Sequence, residues 1–302
     1  MEVKKLISCA LYPILLISVF ASFYFAGHFN WDLAIVLAVM SGIRFWMCLA
    51  IEFLYPCKEN WKMTWKSFRR DLKWMATNLV TIGLIKLAMM MLAIDLSRYN
   101  TGLIAGLPLL LEVMICLLVY EFFQYWYHRY SHEGRGQLGA WFWRVHVAHH
   151  LPDKVYILMH VVFHPINMIL SLIIIQGTLV LSGITAESIF LFNALMALQG
   201  FISHYNVAIK AGFLNYIFIG TELHRYHHSA EMVEAKNYGS VISFWDIVFG
   251  TFNYKPDSVP HRLGVNNIDI YPKSDELLKV LKLPFVNTPT KPSVLASESN
   301  QA

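Results

Sequence analysis

Long apolar runs are the feature that most constrains how this chain can fold. The 302 residues are 56% hydrophobic and 15% charged, whereas a soluble domain carries roughly 25% charged residues. A helix of about 20 apolar residues can cross a bilayer. Such runs are predicted at 6–27, 33–55, 75–94, 103–127, 159–181 and 189–202, the last short enough to dip into the membrane without crossing it. The sequence therefore predicts an all-α polytopic membrane bundle of four to six spans.

The first apolar run is interpreted as a retained membrane helix. Lys4 and Lys5 precede it, as positive charges precede the apolar core of a signal peptide. The run is longer than a typical signal core, and no convincing small-residue cleavage site follows it. The chain is therefore expected to be anchored by this helix.

The basic residues predict how the spans are oriented. The connections 28–32 and 95–101 hold a single basic residue, Arg98, whereas the connection 56–73 is rich in them. Positive charge accumulates on the cytosolic side, so the N-terminus and residues 128–150 and 204–228 are expected there. The basic residues of the 56–73 connection are Lys58, Lys62, Lys66, Arg69, Arg70 and Lys73.

Three histidine clusters indicate a metal centre in that cytosolic layer. Residues three or four apart lie on one face of a helix, so each cluster is expected to direct its imidazoles to one side. Imidazole suits iron, zinc or copper. Eight of the thirteen histidines lie in the clusters and His204 stands alone between the last two, which gives nine expected ligands: His128, His132, His146, His149, His150, His204, His224, His227 and His228.

A ligating imidazole also needs an acceptor at its second ring nitrogen. Carboxylates near the clusters are the expected acceptors, since a carboxylate holds the tautomer in which the other nitrogen is free to bind a metal. The candidates are Glu121, Asp153, Glu222, Glu231 and Asp246.

The remaining segments are predicted to be supporting parts. Residues 56–74 alternate tryptophans with basic residues, which predicts an amphipathic helix in the headgroup plane. We expect membrane helices and this connector at 1–120, a catalytic domain with a membrane hairpin (159–202) at 121–252, and a polar tail at 253–302. The tail holds one short amphipathic piece at 275–283 and is expected to be disordered after Pro284.

Charge and cysteine content exclude some classes of function. The net charge of +4 is unremarkable and predicts no nucleic-acid partner. The four cysteines lie in or beside the apolar runs with no CxxC spacing, so neither a disulfide framework nor a zinc ribbon is expected.

The clusters and the motifs that follow them resemble the fatty acid hydroxylase / sterol desaturase superfamily. Those motifs are Asn237-Tyr-Gly and Trp245-Asp-x-x-Phe-Gly-Thr, and the resemblance covers about 121–252. It implies a membrane oxygenase with two iron ions, in a bacterial inner membrane or an endoplasmic reticulum. Such an enzyme hydroxylates or desaturates a lipid with dioxygen. Its electrons come from a separate donor, a cytochrome or a ferredoxin with its reductase.

One expected ligand of that superfamily is missing. Some members carry a histidine at the position that Gly200 occupies here, four residues before His204. His164, followed by the backbone-disrupting Pro165, is the expected tenth ligand, with His160 as a less favoured substitute. The open alternative is that both line a substrate channel.

Two other functions fit part of the sequence. A zinc-dependent lipid hydrolase would use a zinc-bound water with a pKa of about 7, but a catalytic zinc usually takes only three protein ligands. A non-catalytic, metal-dependent membrane scaffold is the third reading. Zinc alone in purified protein would not separate them, because zinc can displace iron during purification.

Overall fold

The computed structural model describes residues 2–97 and 102–286, and the side chains of all of these except 89–97. Within these ranges the chain is helical and forms no β-strand, which confirms the predicted all-α fold. The α-helices are α1 (Glu2–His28), α2 (Leu33–Leu54), α3 (Trp65–Ser97), α4 (Leu109–Glu133), α5 (Gly136–His150), α6 (Pro165–Ser182), α7 (Ala186–Ser203), α8 (Thr221–His227), α9 (Phe244–Val248) and α10 (Leu277–Lys282).

Five of the described helices are long and apolar enough to cross a membrane, namely α1, α2, α4, α6 and α7. The run predicted at 75–94 falls inside α3, and its last part lies outside the described side chains.

Two helices start later than the apolar runs suggest. The backbone turns at Gly102 and Gly106, which have positive φ, before Pro108 caps α4. Pro165 occupies the first turn of α6, where proline is favoured.

The bundle core surrounds α7, which packs against α1, α2 and α4. Phe192 and Leu195 of α7 are buried with Leu15 and Val19 of α1. Glu52 of α2 accepts hydrogen bonds from the backbone N–H of Ile157 (2.9 Å) and Asn206 (2.7 Å). This buried carboxylate therefore fixes the two loops that lie next to His160 and His204.

The connector before α3 differs from the expected headgroup-plane helix. Trp61 and Trp74 are buried in a second apolar core, together with Trp143 of α5 and Val280 of α10. Only Trp65 of the three connector tryptophans is exposed. The prediction was wrong because the apolar face of this segment packs against protein, including a segment more than 200 residues away in the sequence.

The described part of the C-terminal segment is folded onto that second core. The predicted amphipathic piece is present as α10, with Val280 and Leu283 buried. Arg70 donates hydrogen bonds to Ser274 Oγ (3.2 Å) and to the Tyr156 hydroxyl (2.6 Å). The expected disorder after Pro284 concerns residues that lie almost wholly outside the described ranges. The proposed domain boundaries stay predictions.

Candidate metal centre

The nine histidines expected to be ligands are all buried and meet in two groups. In each group the candidate ligand nitrogens lie within 4.8 Å of one another. The first group takes five residues from α4, α5 and α8, and the second takes four from α5, α8 and the end of α7. The first group is His128, His132, His146, His150 and His227, and the second group is His149, His204, His224 and His228.

The two HxxHH clusters are each divided between the groups. His146 and His150 belong to the first group and His149 to the second, whereas His224 and His228 belong to the second group and His227 to the first. The expectation that each cluster points one way was wrong. Residues four apart lie on one helical face, but adjacent residues differ by about 100° around the helix axis. The two adjacent histidines of an HxxHH cluster therefore point towards different groups.

Two glycines allow α4 and α5 to approach closely enough for this. A Cβ on Gly139 would lie 2.2 Å from the carbonyl of Gly134, and a Cβ on Gly134 would lie 3.1 Å from Gly139 Cα. Any larger residue at 139 would therefore force the helices apart. The approach brings the rings of His128 and His146 to a centroid separation of 4.6 Å.

Backbone carbonyls fix the tautomer of three histidines. Nδ1 of His128 lies 2.8 Å from the carbonyl oxygen of Tyr238, and Nδ1 of His149 lies 3.0 Å from that of Val162. Nδ1 of His227 lies 3.0 Å from the carbonyl oxygen of Lys236. A carbonyl oxygen only accepts, so Nδ1 carries the proton in each ring. Nε2 is then a bare lone pair directed at the centre of the group.

Asn167 plays the same part for His146. Its Oδ1 lies 2.9 Å from His146 Nδ1 and accepts a hydrogen bond from the Tyr127 hydroxyl at 2.9 Å. His204 Nδ1 lies 2.9 Å from Ser203 Oγ. Neither Asn167 nor Ser203 was singled out from the sequence, because nothing local marks a residue that meets a histidine across the bundle.

The convergence of these nitrogens fits a bound cation. Nε2 of His128 and Nε2 of His146 lie 3.0 Å apart, although both rings carry their proton on Nδ1 and so face each other with lone pairs. In the second group, Nε2 of His204 lies 3.0 Å from Nε2 of His149. A cation between the nitrogens removes this repulsion, so both groups can hold a metal ion.

The spacing also bears on the coordination geometry. Neighbouring Nε2 atoms are 3.0 to 3.2 Å apart in both groups. With each nitrogen about 2.1 Å from an ion, right angles give about 3.0 Å and tetrahedral angles about 3.4 Å. The spacings begin at the right-angle value, and the five imidazoles of the first group are more than the four ligands of a tetrahedral site.

The imidazoles are held in the form that binds metal. Burial, with smaller contributions from neighbouring histidines, lowers the pKa of His149, His150 and His224 well below the ordinary value. The same holds for His204, His227 and His228. These rings are therefore neutral at neutral pH, as metal coordination requires.

The predicted carboxylate acceptors lie further out than expected. Asp153 and Glu231 are exposed, and Glu222 accepts from the backbone N–H of Ala211 (2.7 Å) and from Asn215 (2.8 Å). Glu121 and Asp246 instead bind the backbone of the loop at 237–241. Carbonyl groups and Asn167 occupy the place that these carboxylates were expected to take.

That loop explains the Asn-Tyr-Gly and Trp-Asp motifs. Asp246 accepts from the backbone N–H of Tyr238 and of Gly239, both at 2.8 Å, while Glu121 accepts from that of Val241. A Cβ on Gly239 would lie 2.5 Å from the carbonyl oxygen of Ile242. The two carboxylates thus hold the loop so that the Tyr238 carbonyl reaches His128.

His164, the expected tenth ligand, is placed elsewhere. It caps α6, where its Nδ1 accepts from the backbone N–H of Ile166 at 3.1 Å. Its Nε2 lies 3.2 Å from the carbonyl oxygen of Leu281. Both ring nitrogens are engaged away from the two groups, so the geometry contradicts a ligand role. His160 lies closer, with its ring centroid 5.3 Å from that of His204.

A cavity of about 380 Å³ borders both groups. Residues of α3, α4, α6 and α7 line its walls, and most of its lining is apolar. Five of the grouped histidines line it together with His160, so it joins the apolar part of the bundle to the candidate metal centre. These are His128, His146, His149, His204 and His224.

Comparison with known proteins agrees with this geometry. Residues 113–251 match the fatty acid hydroxylase family. The chain is 31% identical over 159 residues to the ornithine lipid hydroxylase OlsE of Rhizobium tropici, covering 52% of this chain and 46% of that protein. It is 25% identical over 229 residues to a putative methylsterol monooxygenase of Dictyostelium discoideum, covering 70% and 77%.

The chain thus spans about half the length of the ornithine lipid hydroxylase. No solved structure matches it significantly. The matched region contains all nine grouped histidines and the loop that supports His128. The resemblance predicted from the histidine motifs is confirmed, because residues 113–251 match the fatty acid hydroxylase family.

Proposed function

We propose that this protein is a membrane-bound di-iron oxygenase that hydroxylates or desaturates a lipid, using dioxygen and external electrons. One observation carries the proposal: two groups of neutral imidazoles, with bare Nε2 lone pairs converging, border one mainly apolar cavity. In this proposal the nine grouped histidines are the metal ligands, and residues 121–252, including the hairpin at 159–202, form the catalytic domain.

The bound irons would supply dioxygen activation and the redox equivalents for oxidising a C–H bond. The chain's own residues supply the surroundings. Tyr238, Val162 and Lys236 orient imidazoles through their carbonyls, and Asn167 orients His146. The cavity positions a lipid chain against the histidines and excludes bulk water. No carboxylate needs to act as acid or base in this arrangement.

We place the centre on the cytosolic face of the membrane. The support is the basic connection at 56–73, with the run at 75–94 and α4 as an outward and a returning crossing, together with α6 and α7, which return residues 204–228 to the side of 128–150. A soluble or membrane-attached electron donor, a cytochrome or a ferredoxin with its reductase, would reach it there. Either a bacterial inner membrane or an endoplasmic reticulum is compatible with this arrangement.

A polar lipid is the proposed substrate class. The names of the two relatives refer to an ornithine lipid and a methylsterol, which differ in shape but both combine a hydrocarbon body with a polar group. Neither compound is assigned to this chain. The shared feature supports a lipid oxidised while it is held at the membrane.

The zinc hydrolase alternative has less support. The family match does not favour it, and the first group alone brings five imidazoles together. Nine converging imidazoles also exceed the three ligands of a typical catalytic zinc.

The test is an assay of the full chain, purified without chelating resin and loaded with iron. With dioxygen, a reducing system and extracted membrane lipids, we expect products heavier by one oxygen or lighter by two hydrogens, seen by mass spectrometry. The His149→Ala variant should form none. Absence of any dioxygen-dependent product from iron-loaded protein, across sterol, acyl and amide lipids, would contradict the proposal.

A further inference from the structure

Three polar side chains in the cavity lack the hydrogen bonds that buried polar groups normally make. The cavity is otherwise lined largely by apolar residues and by the grouped histidines. Buried polar atoms without partners are uncommon, and each calls for an explanation. The three residues come from separate parts of the chain, and all face the same space: Asn78, Gln124 and His160.

Asn78 presents an acceptor whose identity is fixed. It lies on α3 and is 5% exposed. Its Nδ2 donates to the carbonyl oxygen of Val161 at 2.8 Å, which sets the orientation of the amide. Its Oδ1 is then buried without a donor among the described residues. Only a group that donates a hydrogen bond can satisfy that oxygen.

Gln124 lies beside the metal centre. It is one helical turn before His128 on the same face of α4 and is also buried. Its Oε1 has no hydrogen-bond partner among the described residues. A turn of helix rises about 5.4 Å, so this amide lies within a few carbon–carbon bonds of the first histidine group.

His160 completes the polar part of the cavity. Its Nδ1 is buried and has no partner among the described residues. The ring lies against Gly200, where an added Cβ would come within 3.0 Å of Nε2 and Cε1. The absence of a side chain at 200 therefore leaves room for the imidazole next to the second group.

A purely hydrocarbon ligand would leave these groups unpaired. Water can satisfy them while the cavity is empty, but a ligand that displaces bound water must replace its hydrogen bonds. An alkyl chain cannot, whereas a hydroxyl or an amide N–H can donate to Asn78. Apolar side chains at 78 and 124 would serve a hydrocarbon ligand better.

We propose that the cavity selects a lipid that carries a hydroxyl or an amide N–H close to the carbon presented to the histidines. Asn78 and Gln124 determine this specificity. The inference rests on the proposed function only in treating the cavity as the substrate site. Hydrogen bonding to Asn78 fixes the position of the chain, and so which C–H bond faces the centre.

The test compares two probes that differ by a single hydroxyl. Tritiated hexadecan-1-ol and tritiated hexadecane are equilibrated with the full chain in lipid nanodiscs, and retention is corrected for partition into empty nanodiscs. We expect about tenfold tighter retention of the alcohol, the effect of one or two added hydrogen bonds. Asn78→Leu and Gln124→Leu should each remove most of that preference without weakening retention of hexadecane.

Matched controls make the same types of substitution, Gln→Leu and Asn→Leu, at positions outside the cavity. Gln176→Leu on α6 and Asn193→Leu on α7, whose amide donates to the backbone of its own helix, should keep the preference. Equal retention of both probes by the unmodified protein, or an unchanged preference in both cavity variants, would overturn the proposal. The comparison of the two probes on the unmodified protein tests the proposal even if a variant fails to fold. Binding is measured without turnover, so a negative oxidation assay leaves this result standing.

Discussion

The two histidine groups are built from the same helices but are surrounded differently. The first group has five imidazoles and lies between the ends of α4, α5 and α8. The second has four, three of which line the cavity next to His160 and Gly200, whereas two of the five in the first group line it. Both are buried and both contain nitrogens about 3 Å apart. The two groups therefore differ in their number of candidate ligands and in the residues that surround them.

The support at the second ring nitrogen differs as well. His128, His146 and His227 of the first group are oriented through Nδ1 by carbonyl or amide oxygens. In the second group, His149 and His204 have such a partner, but Nδ1 of His224 and of His228 has none among the described residues. Orienting partners raise metal affinity. We therefore expect the first group to hold its ion more firmly, and the second to keep a position open towards the cavity.

The largest expected effect is the loss of a ligand from either group. His146→Ala should remove an ion from the first group and His149→Ala from the second, each with a loss of turnover of at least about 100-fold, because a site short of a ligand holds its metal poorly. Metal analysis and product formation measure both. His261→Ala, an exposed histidine outside the groups, is the matched control. Full metal content and turnover in His149→Ala would contradict the assignment.

A smaller effect is expected from the residue that orients a ligand. Asn167→Leu leaves every imidazole in place but removes the oxygen beside His146 Nδ1. Loss of such a partner typically costs 10–100-fold in metal affinity, so a chelator titration should release the first ion at correspondingly lower chelator concentration. Asn193→Leu, on the surface of α7, should titrate like the unmodified protein. Identical titrations for both variants would show that Asn167 does not support the site.

The sequence predicted the parts of this centre better than their arrangement. Helical spacing and the length of apolar runs are local properties, so the spans and the nine histidines could be found without a structure. The partition between groups could not, because His149 and His150 are neighbours in sequence and diverge only through their helical angle. His164 was misassigned because its ring caps α6 locally and because its contact with Leu281 depends on a segment 117 residues away.

A still smaller effect is expected at the open side of the second group. Gly200→Ala would place a Cβ within 3.0 Å of the His160 ring, and the displaced imidazole would crowd the cavity. We expect turnover to fall by several-fold while metal content stays the same, since overpacking typically costs about 1–3 kcal/mol. Adding His160→Ala should restore part of the loss. If the double variant is no better than Gly200→Ala, the contact between these residues is not the cause.

Acid should affect both groups alike. Burial lowers the pKa of His150 and His227 in the first group and of His149 and His228 in the second. The unfolded chain therefore binds more protons once the pH falls below about 6.5, so acid favours unfolding. Iron-free protein in detergent should lose thermal stability between pH 7.5 and 5.5. Higher stability at pH 5.5 would contradict the neutral, buried state of these rings.

The most direct test of two metal-binding groups is iron counting combined with Mössbauer spectroscopy. The full chain would be produced with ⁵⁷Fe, purified without chelating resin, and assayed for turnover in the same preparation. Two irons per chain are expected, with His146→Ala and His149→Ala each losing one and leaving different residual spectra. Full turnover with a single iron per chain, or both irons retained in His149→Ala, would contradict the account.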